Sequence, residues 1–295
     1  ATDTFAQTDW VRWSKSGYNP DGELIWQRAY HLIPASGEGG NGVNYNQTDY
    51  GYDVMRRQNR VKSPGGTIAR SVFILRGQVA ETWVGTDDTG ATDNNPAGSG
   101  TPNNMVLVTA NQYDDGQTCQ DGNLTRVRQY TNASDYRETT FGYDFRNRQT
   151  AVTGEESFYE ERSYDNQDRV TQVDRKNGSG TGALLARSET LYDTRGRVYQ
   201  QLRYAVSNGV AGNSLKDKSW YDASGNVIKR VQAGSRQFEK TQYDSLNRPV
   251  KSFRCYNLAE ADSDYGAAGS VAGNTAQQQV EQTYDDGGNV IQTTA

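Results

Sequence analysis

Histidine occurs once in this chain of 295 residues, cysteine twice, methionine twice and proline six times. Two cysteines and one histidine argue against a structural zinc site, which takes four Cys or His ligands. Cys119 and Cys255 lie far apart; a disulfide in an oxidising compartment and two free thiols both remain open. No basic tract offsets the net charge of −5, so nucleic acid is not an expected partner. No apolar run approaches a membrane span. The start, Ala1-Thr2-Asp3-Thr4, is not a signal peptide and has no Met, as in a piece of a longer protein. Hydrophobic residues make up 34% of the chain, too few for one thick, dry core. An antiparallel sheet tolerates water on one face and fits that composition. No stretch of helical period competes.

What is abundant is tyrosine (19) and glycine (31), and they recur in register. Tyr-Asp pairs stand at Tyr52-Asp53, Tyr113-Asp114, Tyr143-Asp144, Tyr164-Asp165, Tyr192-Asp193, Tyr221-Asp222, Tyr243-Asp244 and Tyr284-Asp285. Two degenerate copies begin at Tyr18 and Phe73. Three residues after the Asp position comes Gly22, Gly77, Asn147, Asp168, Gly196, Gly225, Asn247 or Gly288. The copies at Tyr52 and Tyr113 are read with extra turn residues, which puts Asn59 and Gly122 there. Only Gly, Asn and Asp then occupy the position, and these are the residues that tolerate positive φ. A polar residue follows, often Arg or Asn, and then an apolar one: Leu24, Val61, Val79, Leu124, Val170, Val198, Val227 or Val290.

The physical reading is a hairpin. The Asp carboxylate accepts from backbone amides ahead of it, the permissive residue turns left-handed and forms a bulge, and Tyr packs across the strands on Val. Successive Tyr positions lie 34, 21, 40, 30, 21, 28, 29, 22 and 41 residues apart. The longer intervals hold Gly-, Asn- and Ser-rich inserts: Thr86 to Asn104, Asn177 to Gly182, Ser207 to Ser214 and Ala259 to Thr275. Each lies about midway between Tyr-Asp turns. In a meander the Tyr-Asp turns therefore line one edge and the inserts the other.

The Y-D-x-x-G-R-V pattern resembles the YD repeat, also called the RHS repeat. The resemblance spans Tyr18 to Ile291; Tyr192–Val198 and Tyr221–Val227 match best, and Tyr18, Phe73, Tyr52 and Tyr113 least. It implies a large secreted or cell-surface protein whose antiparallel hairpins wind as one curved, spiralling sheet into a hollow shell. In bacterial toxin systems such a shell encloses a cytotoxic domain; in animal teneurins a similar barrel belongs to an adhesion receptor. The segment that plugs the shell, with its aspartyl self-cleavage site, is not recognisable here, nor is a toxin domain.

The remaining candidate sites have ordinary structural readings beside the functional ones. Asp87-Asp88, Asp114-Asp115, Glu155-Glu156, Glu160-Glu161 and Asp285-Asp286 invite an acid/base reading, but adjacency does not make two carboxyls converge. The oxygens of Thr86 to Asn95 and Asp262 to Asp264 could hold calcium, though neither stretch matches an EF-hand loop or a Gly-Asp nonapeptide repeat. His31 has no nucleophile signature beside it. The glycines of Ser36 to Gly42 lack a phosphate-loop setting. Trp10, Trp13, Trp26, Trp83 and Trp220 can stack on sugars, as in an adhesin, or pack across strands.

The reading is all-β: one array over residues 1–295, with 1–50 a degenerate first repeat and no catalytic domain. It takes no cofactor and no metal, and it serves as wall, scaffold or fibre. Its partners are further repeats or identical copies, with toxin cargo or surface glycan as possibilities.

Overall fold

The computed structural model describes residues 5–116, 121–263 and 265–295. Cys119, Asp264 and the four N-terminal residues lie outside them, so the disulfide question and the full Asp262 to Asp264 stretch do as well. Among the described residues there are twenty strands, two short 3-10 turns and one four-residue helix, α1 (Tyr265–Ala268). By internal contacts the chain divides into two compact units, Ala1–Phe141 and Gly142–Ala295.

The first unit contains β1 (Ser14–Tyr18), β2 (Leu24–Tyr30), β3 (Tyr45–Tyr52), β4 (Gln58–Lys62), β5 (Ile68–Phe73), β6 (Val79–Gly85), β7 (Val106–Tyr113) and β8 (Leu124–Tyr130), and ends within β9 (Tyr136–Tyr143). The second contains β10 (Gln149–Thr153), β11 (Phe158–Tyr164), β12 (Val170–Asn177), β13 (Leu184–Tyr192), β14 (Val198–Ser207), β15 (Val210–Tyr221), β16 (Val227–Val231), β17 (Gln237–Tyr243), β18 (Pro249–Tyr256), β19 (Thr275–Tyr284) and β20 (Val290–Thr294). Within each unit every strand pairs antiparallel with the next. The two-residue side-chain period is plain in β14, whose residues alternate between more and less exposed along Val198–Ser207.

All ten Tyr- or Phe-led turns join an odd-numbered strand to the following even one, and all the Gly-rich inserts join even to odd. In a meander these two kinds of connection leave opposite edges. At the Tyr192 turn Tyr192 faces Val198 while Leu191 faces Gln200, so the register slips by one residue. The same slip occurs just before Tyr18, Tyr52, Phe73, Tyr113, Tyr164, Tyr221, Tyr243 and Tyr284.

One turn differs from the sequence reading. The copy at Tyr52 has no extra residues: Arg56, at φ 64°, takes the left-handed position, and Asn59 is a buried residue of β4. Tyr52 accordingly faces Gln58, and Val61 lies further along the strand opposite Tyr50. Arg is not a permissive residue, but here its guanidinium reaches the preceding turn, donating to Glu23 Oε1 at 2.9 Å and to the Asp21 carbonyl. Those lateral bonds offset the backbone strain. At Tyr113 the long turn is real, and Gly122 (φ 82°) follows Asp114 with Asn123 closing the turn onto the Asp114 amide.

The buried apolar residues are few. In the first unit they are Tyr45, Ile68, Val72 and Met105; in the second, Leu202, Trp220, Phe238, Phe253, Cys255 and Ala268. Phe238, Phe253 and Cys255 touch one another, with Val231 and Val271 packed against them. The β6–β7 and β18–β19 connections, which contain the two longest inserts, contribute buried residues (Pro96 and Met105; Ala268).

Candidate functional site

The turn edge carries the densest polar organisation. At Asp193 the backbone amide donates to Arg197 O, and Gly196 N (φ 81°) donates to Asp193 O, both at 2.9 Å. The Asp193 carboxylate accepts from the amides of Arg195 and Arg197 through Oδ1 and from Arg197 Nε through Oδ2 at 2.7 Å. The same two backbone bonds close the turns of Asp144 with Asn147 (φ 61°), Asp165 with Asp168 (61°), Asp222 with Gly225 (97°), Asp244 with Asn247 (62°) and Asp285 with Gly288 (84°). Asp222 and Asp285 hold an Asn, Asn226 or Asn289, in place of the Arg.

The residue after the left-handed position, read from sequence only as polar, joins each turn to the next. Arg197 Nη1 donates to Asp222 O at 3.1 Å and the guanidinium lies 4.5 Å from the Tyr221 ring centroid. Tyr221 Oη donates back to Val198 O at 2.6 Å. Arg148 does the same toward Asp165 and Tyr164, with Tyr164 donating to Gln149 O. Arg248 does so toward Asp285 and Tyr284, with Tyr284 donating to Pro249 O. Arg57 donates to Ile74 O and stacks on Phe73, which has no hydroxyl to return. Arg169 stacks on Tyr192 at 4.3 Å, and Tyr192 donates to Val170 O, while Arg169 Nη1 is buried without a hydrogen-bond partner. Tyr52, Tyr113 and Tyr243 donate likewise to Leu24, Val79 and Val227 carbonyls. Tyr143 sits in the same place at the end of β9. Stacked cations and charge-assisted hydrogen bonds are the stronger members of their classes. The recurrence of Arg four residues after Asp was the available signal for this role.

These contacts set the titration of the edge. The Arg148 and Arg169 side chains hold the Asp144 and Asp165 carboxyls below the usual range. Asp244 is held down by the Arg248 amide and then its side chain, and Asp285 by the Asn289 side chain and then its amide. At Asp193 burial pushes upward, and the combined Arg197 and Arg195 bonds outweigh it. A carboxyl whose folded value is depressed contributes stability above its ordinary value and loses it as pH falls through the folded one. Urea midpoints are therefore expected to stay level from about pH 7 to 5 and to fall below about pH 4. A fall centred near pH 6.5 would contradict this.

Among the described residues no two members of one acidic pair line the same cleft; Asp114, without Asp115, lines a cleft of the first unit. Asp88 takes Arg60 and Arg70, Asp114 accepts the Gly122 and Asn123 amides, and Glu160 and Glu161 take Arg162 and Lys176. Glu156 sits at a positive-φ turn position, and Asp285 is a repeat turn acid. His31 is exposed. Glu38, in the Gly-rich Ser36 to Gly42 stretch, pairs with Lys15 and Arg28. Among the described residues no group of three or more His, Cys, Asp or Glu side chains is placed to hold a metal ion. That cleft, of about 880 Å³, is lined by Val54, Met55, Phe73, Ile74 and Leu75 together with Asp53, Asp93, Asp114, Arg57 and Arg76; Asp53 pairs with Arg57, and Asp93 accepts from Asn59 and from the Val54 amide.

The aromatics read as possible sugar platforms are mostly engaged. Trp220 is 4% exposed, donates to Asp262 O at 2.9 Å and is covered by Lys229, which removes it as a stacking surface. Trp13 stacks on Tyr30 at 3.9 Å and meets Trp10 edge-on; Trp26 is covered by Arg28; Trp83 Nε1 donates to Glu81.

A second arrangement was not legible in the sequence. Three inserts each place one carboxylate on two cations that face each other across neighbouring strands. Glu38 joins Lys15 and Arg28, Asp88 joins Arg60 and Arg70, and Glu260 joins Lys229 and Lys240. Each cation couple is a direct cross-strand pair.

Strand content, turn edge and pinned inserts define an all-β, antiparallel hairpin array. Solved structures of Tc toxin assemblies are similar to it. A crystal structure of TcdB2-TccC3-Cdc42 is 13% identical with TM-score 0.33, covering 95% of this chain and 19% of that one. The Photorhabdus luminescens Tc holotoxin pore is 12% identical with TM-score 0.33, covering 94% and 18%. This chain thus spans about a fifth of the length of either. No protein-family model and no curated protein matches the chain. No helix among the described residues is long and apolar enough to cross a membrane.

Proposed function

We propose that the chain is a non-enzymatic wall segment of a large secreted or cell-surface YD/RHS-repeat protein, part of a shell around cargo such as a toxin, or of an extracellular fibre. The observation that carries this reading is the turn edge: the side chains that recur are spent on binding one repeat to the next. Arg197, Tyr221 and their counterparts face neighbouring turns of the same chain. Neighbour-to-neighbour contacts of this kind are what stabilise a repeat array.

A wall segment offers further strands for pairing. All five residues of β20 are exposed, and β20 pairs with β19, so its other side is a template for an incoming strand. Light scattering on the purified chain is expected to show self-association that rises with concentration. A compact monomer at every concentration would count against the wall reading.

A further inference from the structure

The insert between β18 and β19 crosses the face of the sheet and is fastened there by Glu260. Its carboxylate accepts from Lys229 Nζ at 2.6 Å, Lys240 Nζ at 2.8 Å and Asn274 Nδ2 at 2.8 Å. The three charged side chains are 2–3% exposed. Lys240 Nζ donates also to Ala267 O and Ser270 O, both at 2.6 Å, which ties the C-terminal end of α1 and the residues just after it to the same ammonium. Lys229 completes its surroundings with the rings of Trp220 and Phe238, at 4.6 and 4.5 Å. The triad thus buries two positive charges against one negative. The next ion pair outward is Lys218 with Asp262. The apolar cluster of Phe238, Phe253 and Cys255 lies beside the triad, with Val271 of the insert packed on it.

The chain supplies its own control. Arg60, Ala151 and Lys229 each stand eight residues after the Tyr of a turn, at Tyr52, Tyr143 and Tyr221. Their cross-strand partners are Arg70, Glu161 and Lys240. Where the couple is two cations, a long insert follows the next hairpin and lays a carboxylate on them. Where it is Ala151 and Glu161, the corresponding insert is only Asn177 to Gly182, and Glu161 is neutralised by Lys176 of the adjacent strand. The cation couple and the long insert occur together.

We propose that the described residues of this insert, 257–263 and 265–274, act as a strap held shut by a single negative charge, that of Glu260, and that losing this charge lifts the strap and uncovers the apolar face around Phe238, Phe253 and Cys255. Without it, two ammoniums remain buried side by side with only neutral acceptors, a state that strongly favours opening. Burial raises the Glu260 carboxyl, but the bonds from Lys229, Lys240 and Asn274 outweigh it and leave it below its ordinary value. Closure is therefore complete above the usual Glu range and is lost as pH falls through the lowered value.

The Cys255 thiol, fully buried, reports the opening. In a Cys119→Ser background at pH 7.5, Glu260→Gln is expected to raise the rate of Cys255 labelling by a disulfide reagent at least tenfold, with the circular dichroism of the sheet unchanged. Lys229→Met/Glu260→Gln returns the buried net charge to the wild-type value and is expected to slow labelling again. Labelling of Glu260→Gln at the wild-type rate overturns the proposal. So does equal labelling of the single and double variants, which would assign the effect to lost hydrogen bonds. Should Glu260→Gln fail to fold, the Glu260-containing protein is titrated with dithiodipyridine, which reacts in acid. Labelling must then begin below the ordinary Glu range while the sheet persists; onset only with global unfolding overturns the strap.

Discussion

Phe253→Ala is expected to lower the unfolding free energy of the second unit by about 3–5 kcal/mol, the range for removing a buried aromatic and leaving a cavity. The ring is 6% exposed and touches Phe238 and Cys255, and it stands directly across the strand pair from Lys240. The buried apolar residues of this unit are few, so neighbours have little mobile bulk with which to refill the space. Domains are commonly stable by only about 5–15 kcal/mol, so the loss is a large fraction of the total. Urea denaturation followed by circular dichroism should show the unfolding midpoint moved to lower urea. A midpoint unchanged from wild type would mean that this cluster is not the core of Gly142–Ala295.

Gly225→Val is expected to cost about 1–3 kcal/mol through the backbone alone, the scale for holding an ordinary residue in a left-handed well. Gly225 has φ 97°, the largest positive value among the repeat turns. A Cβ built there meets nothing within 4 Å, so crowding does not enter. Gly225→Asn should lose less, because Asn147 and Asn247 already hold φ 61° and 62° in equivalent turns. The order of urea midpoints should be wild type, then Asn, then Val. Equal midpoints for all three would show that the turn relaxes to another conformation. A Val variant that instead lost the whole second unit would show that this hairpin is needed for the rest to form.

The strand meander and its two edges were legible because they rest on local chemistry. An acid, two indifferent residues and a permissive one specify a turn within five positions, and alternation specifies the strands beside it. The misreading at Tyr52 came from the same rule: Arg56 is not permissive, so an insertion was inferred that placed Asn59 in the turn. What licenses Arg56 is Glu23, a residue of the preceding hairpin, and no local pattern contains that. Glu260 is a sharper case. Its partners stand 31 and 20 residues away on two strands, and only the path of the insert over the sheet brings them together. Trp220 was open as a sugar platform for a similar reason, since nothing near it in sequence announces the Asp262 carbonyl or the Lys229 ammonium that encloses it. The arginine stacking lies between these extremes: its spacing was visible, but its target is the following turn.

The traffic along the turn edge runs one way for the cations and the other way for the hydroxyls. Arg57, Arg148, Arg197 and Arg248 reach toward the C-terminus, to a later carbonyl and ring, and Tyr164, Tyr221 and Tyr284 answer toward the N-terminus. Arg56, which reaches back to Glu23 and Asp21, is the exception. The edge is consequently an arrow. Each link in it has a forward and a backward side, a guanidinium on one turn and a ring with a carbonyl on the next. Extending such an arrow requires every added hairpin to enter in the same orientation, since a reversed one would set guanidinium against guanidinium and leave its carbonyls unanswered.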